Sequence, residues 1–442
     1  MAHSVKMVWL KLYAAKRNHS VNAKDASVEV DKEVRPPMEN VSPLRWVMIA
    51  LVFLATAINY LDRQALSVVA PVLLDRYHMS NETYSRIIFA FMLAYTIMNG
   101  VAGPIIDRLG TRLGYALTTA WWSASAMLHA VAIGPWSLGI FRFMLGMGEA
   151  GNWPAGVKVV AEWFPLRERA LASGIFNSGS AIGAILAPPL VAWIVLDFGW
   201  RAAFLAVGAS GFIWLVAWLA IYRTPQQVQQ EQPFRSMSLK ELVRTEFIWK
   251  FTAAKVFLDP VWYFYIFWFP VYLKQARHFD LAAIGKYAWI PFMVAGGGNL
   301  LGGWLAAILL QTGLKLSLAR QISLSVFACL MVAAIPAVLV TDVRLSIALV
   351  SLAMLGYTGV TANMLAMPAD AFPKDLVASI WGFASVGSGF GGMLFVLVTG
   401  WLVDRYSYVP VFFVFGLIPL VALMILWTLS GSYQSEMQMQ SH

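Results

Sequence analysis

Cysteine is nearly absent from this chain, with one residue, Cys329, in 442. That excludes a disulfide framework and a multi-cysteine metal site. Cys329 itself, lying in an apolar run, reads as a small buried hydrophobe. Charge is scarce as well. Only 12% of residues are Asp, Glu, Lys or Arg, against about 25% in water-soluble domains. The six histidines, His3, His19, His78, His129, His278 and His442, are scattered, and no two stand at ligand spacing. Neither a metal centre nor a nucleophile–base arrangement is expected, so the sequence offers no enzymatic chemistry and no cofactor.

What fills the space is apolar. The chain is 59% hydrophobic, with 19 Trp and 27 Phe. A water-soluble fold has no place to hide that much apolar surface, so the solvent must be a lipid bilayer. A spanning helix needs about 20 apolar residues. Twelve such stretches stand near 46–68, 84–104, 113–133, 137–158, 170–193, 201–222, 249–273, 281–307, 319–340, 344–366, 377–401 and 408–430. An all-α integral membrane protein is expected, with no removable leader ahead of the first span.

The net charge of +9 is a matter of topology rather than of nucleic acid. With the N-terminus inside, 20 of the 32 Lys and Arg residues fall in the tail and loops of one side and eight in the opposite loops. The other four, Arg63, Arg142, Lys158 and Lys255, lie within spans. The positive-inside rule then puts both termini in the cytoplasm. Residues 1–44 read as a polar cytoplasmic tail, with Met7 and Met38 as alternative starts. Residues 45–222 form a first six-helix bundle, 223–248 a polar cytoplasmic linker, 249–431 a second bundle and 432–442 a short tail.

The halves look related. Glu162-Trp163-Phe164-Pro165 precedes the fifth span and Asp370-Ala371-Phe372-Pro373 the eleventh, at an offset of 208. The same offset pairs Ala170 with Ala378, Gly174 with Gly382, Gly179 with Gly387, Ser180 with Ser388 and Trp193 with Trp401. At an offset of 200, Asn99 meets Asn299 and Gly103 meets Gly303. Duplicated halves about a central cavity are a transporter architecture, with substrate bound near the bilayer midplane.

Between the second and third spans stands Gly103-Pro104-Ile105-Ile106-Asp107-Arg108-Leu109-Gly110-Thr111-Arg112. Its glycines permit a tight turn and close helix packing, and Asp107 invites an arginine or a helix N-terminus as partner. This stretch resembles the loop signature of the major facilitator superfamily. The resemblance implies the twelve-helix, two-bundle major facilitator fold, with Gly103, Asp107, Arg108, Gly110 and Arg112 as a cytoplasmic gating latch. The second copy departs from the pattern, carrying Ala307 where the acid would stand.

Charged groups at mid-bilayer are costly and need a reason. The first span holds Asn59-Tyr60-Leu61-Asp62-Arg63-Gln64 and the fourth Arg142 and Glu149, seven residues apart on one helical face. If the two spans adjoin, the cluster is net neutral. Two readings are open: structural ion pairs, or a site where an arginine captures an anion and a carboxylate takes a proton. In the seventh span Lys255 and Asp259, four apart, are either a structural pair or substrate ligands. Trp262 and Tyr265 there can stack on a sugar ring, and Asn299, Asn363, Ser385 and Ser388 can bond hydroxyls or neighbouring helices.

These segments, with Phe176-Asn177-Ser178-Gly179-Ser180, are similar to the anion:cation symporter branch of the superfamily. Gly148-Glu149-Ala150-Gly151-Asn152-Trp153-Pro154 and the run from Asp259 to Tyr265 resemble its hexuronate transporters. The resemblance implies a monomeric carrier of a sugar acid such as glucuronate or galacturonate, driven by H+ symport with alternating access. It implies that Arg63 holds the substrate carboxylate, that Tyr60 and Tyr95 line the site, and that Asp62 and Glu149, set by Arg142, couple protons. Asn177, Ser180, Trp262, Tyr265, Asn299 and Asn363 complete the expected substrate site. Gluconate-type relatives carry a glutamine where this chain has Ser180, which disfavours a galactonate-like substrate. The alternatives are a proton- or sodium-coupled carrier of a hexonate, hexarate or other carboxylate, and a non-transporting sensor. The expected setting is the bacterial inner membrane.

Overall fold

The computed structural model describes residues 43–225, 245–372 and 374–439, and among these residues it is helical, without strands. All but the end of the expected 1–44 tail, positions 226–244 of the linker and residues 440–442 lie outside the described residues. The helices are α1 (Leu44–Tyr77), α2 (Asn81–Leu128), α3 (Pro135–Glu149), α4 (Asn152–Trp163), α5 (Leu166–Phe198), α6 (Trp200–Ile221), α7 (Glu246–Arg277), α8 (Leu281–Tyr287), α9 (Ile290–Gln311), α10 (Leu316–Met331), α11 (Ala334–Leu339), α12 (Val343–Ala371), α13 (Lys374–Arg405) and α14 (Tyr408–Met439).

Among the described residues ten helical stretches are long and apolar enough to cross a bilayer. Two local features reconcile that number with the twelve expected spans. The second and third spans run together in α2, turned at Gly110, whose φ of 77° suits a residue without Cβ. The fourth span is broken into α3 and α4, each too short alone. At the break, hydrogen bonding slips from Ala150 N–H on Gly146 O to Gly151 N–H on Gly148 O. A Cβ at Gly148 or Gly151 would collide with Trp122 and Thr118 of α2, so the close approach at the break depends on glycine, and Pro154 lacks the N–H that would bond the carbonyl of Ala150.

Large apolar side chains such as Ile97, Leu113, Ile213, Leu300, Trp304 and Met424 point outward, as they do when the solvent is lipid. Cys329 corrects the sequence expectation. It is exposed on α10, not buried. In a spanning helix the lipid-facing side is as apolar as the core, so hydrophobicity does not say which way a residue points.

The first and second halves of the chain meet at the end of the bundle that carries the 78–80 turn. Asp404, at the end of α13, accepts from the backbone N–H groups of Asn81 (3.1 Å) and Glu82 (2.7 Å) and from Asn81 Nδ2 (2.8 Å). A carboxylate of one half thus caps a helix of the other, where the helix dipole favours negative charge. Tyr84 donates to the carbonyl of Phe267 at 2.7 Å. Gly400 packs against Ser85, and Gly285 of α8 against Ala192 of α5. Toward the opposite end the matched glycines Gly103, Gly303, Gly174 and Gly382 have no atom within 4 Å of a Cβ position. The described residues therefore make cross-half contacts at the end of the 78–80 turn, while these four glycines touch no neighbouring helix.

Removing the Asp404 carboxylate is expected to loosen the closed end. A lost cap costs about 0.5–2 kcal/mol. In a Cys329→Ser background, a cysteine placed at buried Ser85 is expected to react with a membrane-impermeant maleimide at least roughly twofold faster in Asp404→Ala, the lower edge of that range. An unchanged labelling rate would show that this carboxylate does not hold the end shut.

Candidate functional site

The charged groups of α1 and α3 come together. Arg63 Nε donates to Glu149 Oε2 at 2.8 Å, and its Nη2 to Asn59 Oδ1 at 3.3 Å. Asn59 Nδ2 in turn reaches the carbonyl of Glu149 at 3.4 Å. The guanidinium lies over the rings of Tyr95 (4.7 Å), Tyr60 (4.8 Å) and Phe91 (5.4 Å). Arg63 is 2% exposed and Glu149 0%. Close contact between the helices is what brings these groups within bonding distance: Gly146 of α3 packs on Phe91, Ala94 and Tyr95, and Gly183 of α5 on Ala57 and Tyr60.

One ion pair forms here, not two. Arg142 gives Nη2 to the carbonyl of Arg63 at 2.7 Å, and its Nε and Nη1 have no hydrogen-bond partner. Both carboxylate oxygens of Asp62, which is 2% exposed, also lack a partner, as does Oε1 of Glu149. The geometry explains this. Seven residues of helix separate Arg142 from Glu149 by about 10.5 Å along the axis, too far to bond. Asp62 and Arg63 are consecutive and point about 100° apart, so both cannot face Glu149. Glu149 and Arg142 are still the charged neighbours of Asp62.

The second half supplies a facing set. Lys255 Nζ meets Asp259 Oδ2 at 2.7 Å, and Tyr357 Oη donates to Asp259 Oδ1 at 3.3 Å. Trp262 stacks on Tyr357 at 5.4 Å and 11°. Tyr263 and Ser388 share a hydrogen bond of 3.4 Å. Phe91, under Arg63, meets Phe267 at 5.9 Å, and Phe267 stacks on Tyr263 at 6.2 Å, so the two sets lie beside one another.

Among the residues singled out from sequence, Arg63, Tyr60, Tyr95, Glu149, Asp62, Arg142 and Trp262 join this group. Tyr265 does not; it is fully buried against Phe264 and Phe269. Asn363 does not either. Its Nδ2 donates to Gly302 O (3.1 Å) and Ser323 Oγ (2.9 Å), tying α12 to α9 and α10. Asn177 and Asn299 are exposed, and Ser180 Oγ bonds the carbonyl of Asn177 on its own helix at 2.7 Å. Sequence reasoning missed Tyr357, one aromatic among many in apolar runs, and gave Tyr263 no task within the run from Asp259 to Tyr265. Asn59 was visible in its motif but carried no assigned task.

The Gly103–Arg112 stretch binds the first half to itself. Asp107 pairs with Lys158 of α4 at 2.7 Å, a lysine where an arginine or helix N-terminus was expected. Arg112 Nη2 donates to the carbonyl of Leu219 at 2.6 Å. Glu162 accepts from Thr111 (2.5 Å) and from Tyr222. In the second half Asp370, the residue matched to Glu162, is held by Arg320 at 3.0 Å. Arg320 stands 208 residues after Arg112, so the salt bridge and the Glu162 network occupy related places.

A bundle of apolar helices in two related halves, with a buried charged group beside facing side chains of the second half, fits a multi-pass membrane transporter and not an enzyme. The Major Facilitator Superfamily model matches residues 52–360, and the chain belongs to that family. It is 33% identical over 411 residues to the hexuronate transporter of Escherichia coli strain K12, covering 88% of this chain and 95% of the relative. It is 35% identical over 315 residues to the galacturonate transporter of Dickeya chrysanthemi, covering 67% and 91%. In fold it is similar to a bacterial homologue of the human lysosomal transporter Spinster, solved inward-facing and unoccupied. The TM-score is 0.70 at 17% identity, over 89% of this chain and 98% of that one.

Proposed function

We propose that the protein carries a hexuronate, glucuronate or galacturonate, across the bacterial inner membrane by proton symport with alternating access. The observation that carries this reading is Arg63, a buried guanidinium over two tyrosines whose one carboxylate partner, Glu149, keeps a free oxygen. A planar guanidinium fork suits a carboxylate. Glu149 holds the place that the substrate carboxylate would take. Protonating Glu149 weakens its hold on Arg63, and the anion replaces it. Proton and anion then raise each other's affinity by the same factor. Asp62 is a second place for a proton, beside Arg142. Tyrosines and Ser388 offer hydroxyl partners to the sugar. The names of the two relatives support this substrate class.

The bias of basic residues puts the end with the unpacked glycines on the cytoplasmic side, which supports reading this arrangement as inward-open. Its counterpart closes that end, bringing the regions of Gly103, Gly174, Gly303 and Gly382 together. Leu at Gly103 or Gly382 therefore fits the present arrangement, where nothing lies within 4 Å, and obstructs the other. Such variants are expected to keep their melting temperature and lose counterflow exchange severalfold. Exchange at the wild-type rate would contradict this closure.

The test of the function is binding of labelled glucuronate to the purified protein. Displacement by galacturonate, and not by glucose, is expected. Equal displacement by neutral glucose would mean that the carboxylate is not what the site recognises.

A further inference from the structure

The hexuronate reading leaves the Lys255–Asp259 pair of α7 without a task, and the following rests on that reading. Both residues are nearly buried, and Asp259 has both oxygens engaged, one by Lys255 at 2.7 Å and the other by Tyr357 at 3.3 Å. Lys255 also lies over the Trp381 ring at 4.9 Å. Stability alone does not explain such a pair, since apolar residues in its place are often as good or better. Position does. Asp259 and Tyr263 share a face of α7, Tyr263 stacks on Phe267, and Phe267 meets Phe91, which underlies Arg63.

We propose that Asp259 sets the charge of the second-half wall to zero and so makes the site select a sugar acid with one carboxylate over one with a carboxylate at each end. A six-carbon acid held by its carboxylate on Arg63 extends its other end toward this wall. In a hexuronate that end is a neutral hemiacetal, which donates to Asp259 and accepts from Lys255 or a tyrosine hydroxyl. In a hexarate it is a second carboxylate. It would meet the Asp259 carboxylate, and the cation that would receive it is already neutralised. Like charges at close quarters repel, and specificity is commonly built from such a repulsion. The Trp262 ring stacked on Tyr357 steadies the hydroxyl that orients Asp259.

The test is competition for labelled glucuronate on the purified protein, read as the ratio of affinities for glucarate and glucuronate. In the wild type glucarate is expected to bind at least tenfold more weakly. Asp259→Asn leaves Lys255 as an uncompensated cation and is expected to raise the ratio at least tenfold. Adding Lys255→Gln removes that cation and is expected to bring the ratio back between the two, above wild type because the repulsion is gone. Thermal unfolding checks that each variant folds; should the single variant fail, the neutral double variant still reports on the repulsion. A wild type that binds both acids equally, or a ratio unmoved in the folded variants, overturns the proposal alone. A wild type that binds no glucuronate overturns the hexuronate reading and this proposal with it.

Discussion

Arg63→Ala is expected to weaken glucuronate binding at least a hundredfold while leaving a folded protein. Hydrogen bonds to charged groups contribute about 1.5–3 kcal/mol each. A guanidinium fork holding a carboxylate makes two, and the lower edge of their sum is already about a hundredfold in affinity. The loss is larger still because Glu149 would remain, a carboxylate in the place the anion needs. Arg63→Lys is the informative comparison. Lysine restores the charge and not the planar pair of donors, so it is expected to recover only part of the loss. Isothermal titration with both variants, alongside their melting temperatures, decides the point. A loss below threefold in a folded Arg63→Ala protein would remove Arg63 from the binding site.

Glu149→Gln is expected to separate binding from coupling. Glutamine has the shape of the neutral carboxyl and cannot exchange a proton. Arg63 is then released to the substrate at every pH. In the wild type, affinity should rise as pH falls, by up to about tenfold per unit if one proton is linked. In the variant that slope should flatten. Accumulation driven by a proton gradient should disappear, while exchange of labelled for unlabelled glucuronate persists at a reduced rate. Accumulation equal to wild type would transfer the coupling to Asp62, whose two oxygens also lack partners.

The spans were legible because twelve apolar stretches of sufficient length leave little freedom in a bilayer. The break of the fourth span at 150–151 was not, since Pro154 marks a weak point that a spanning helix often tolerates, and the contacts of Gly148 and Gly151 there are tertiary. The cluster itself was legible from the cost of charge in lipid. Its internal pairing was not. Helical periodicity says which residues share a face, and Arg142 and Glu149 do, but bonding across helices depends on depth, and there Arg63 reaches Glu149 first. Asn363 shows the same limit from the other direction. An asparagine in a span can serve a ligand or the backbone of adjacent helices, and only the contacts with Gly302 and Ser323 show which. Lys158 carried no signal as the partner of Asp107, because the two lie on helices whose adjacency is a tertiary fact. Cys329 and Tyr265 were misplaced for complementary reasons. In a membrane protein an apolar residue faces lipid as readily as the core, and an aromatic one packs among its kind as readily as it lines a cavity.

The measurement that bears most directly on hexuronate–proton symport is uptake of labelled glucuronate into proteoliposomes with and without an inward proton gradient, beside liposomes carrying Arg63→Ala. Saturable uptake is expected, concentrated above equilibrium only when the gradient is imposed, competed by galacturonate and lost in the variant. Uptake indifferent to the proton gradient, or undiminished by loss of Arg63, would contradict it.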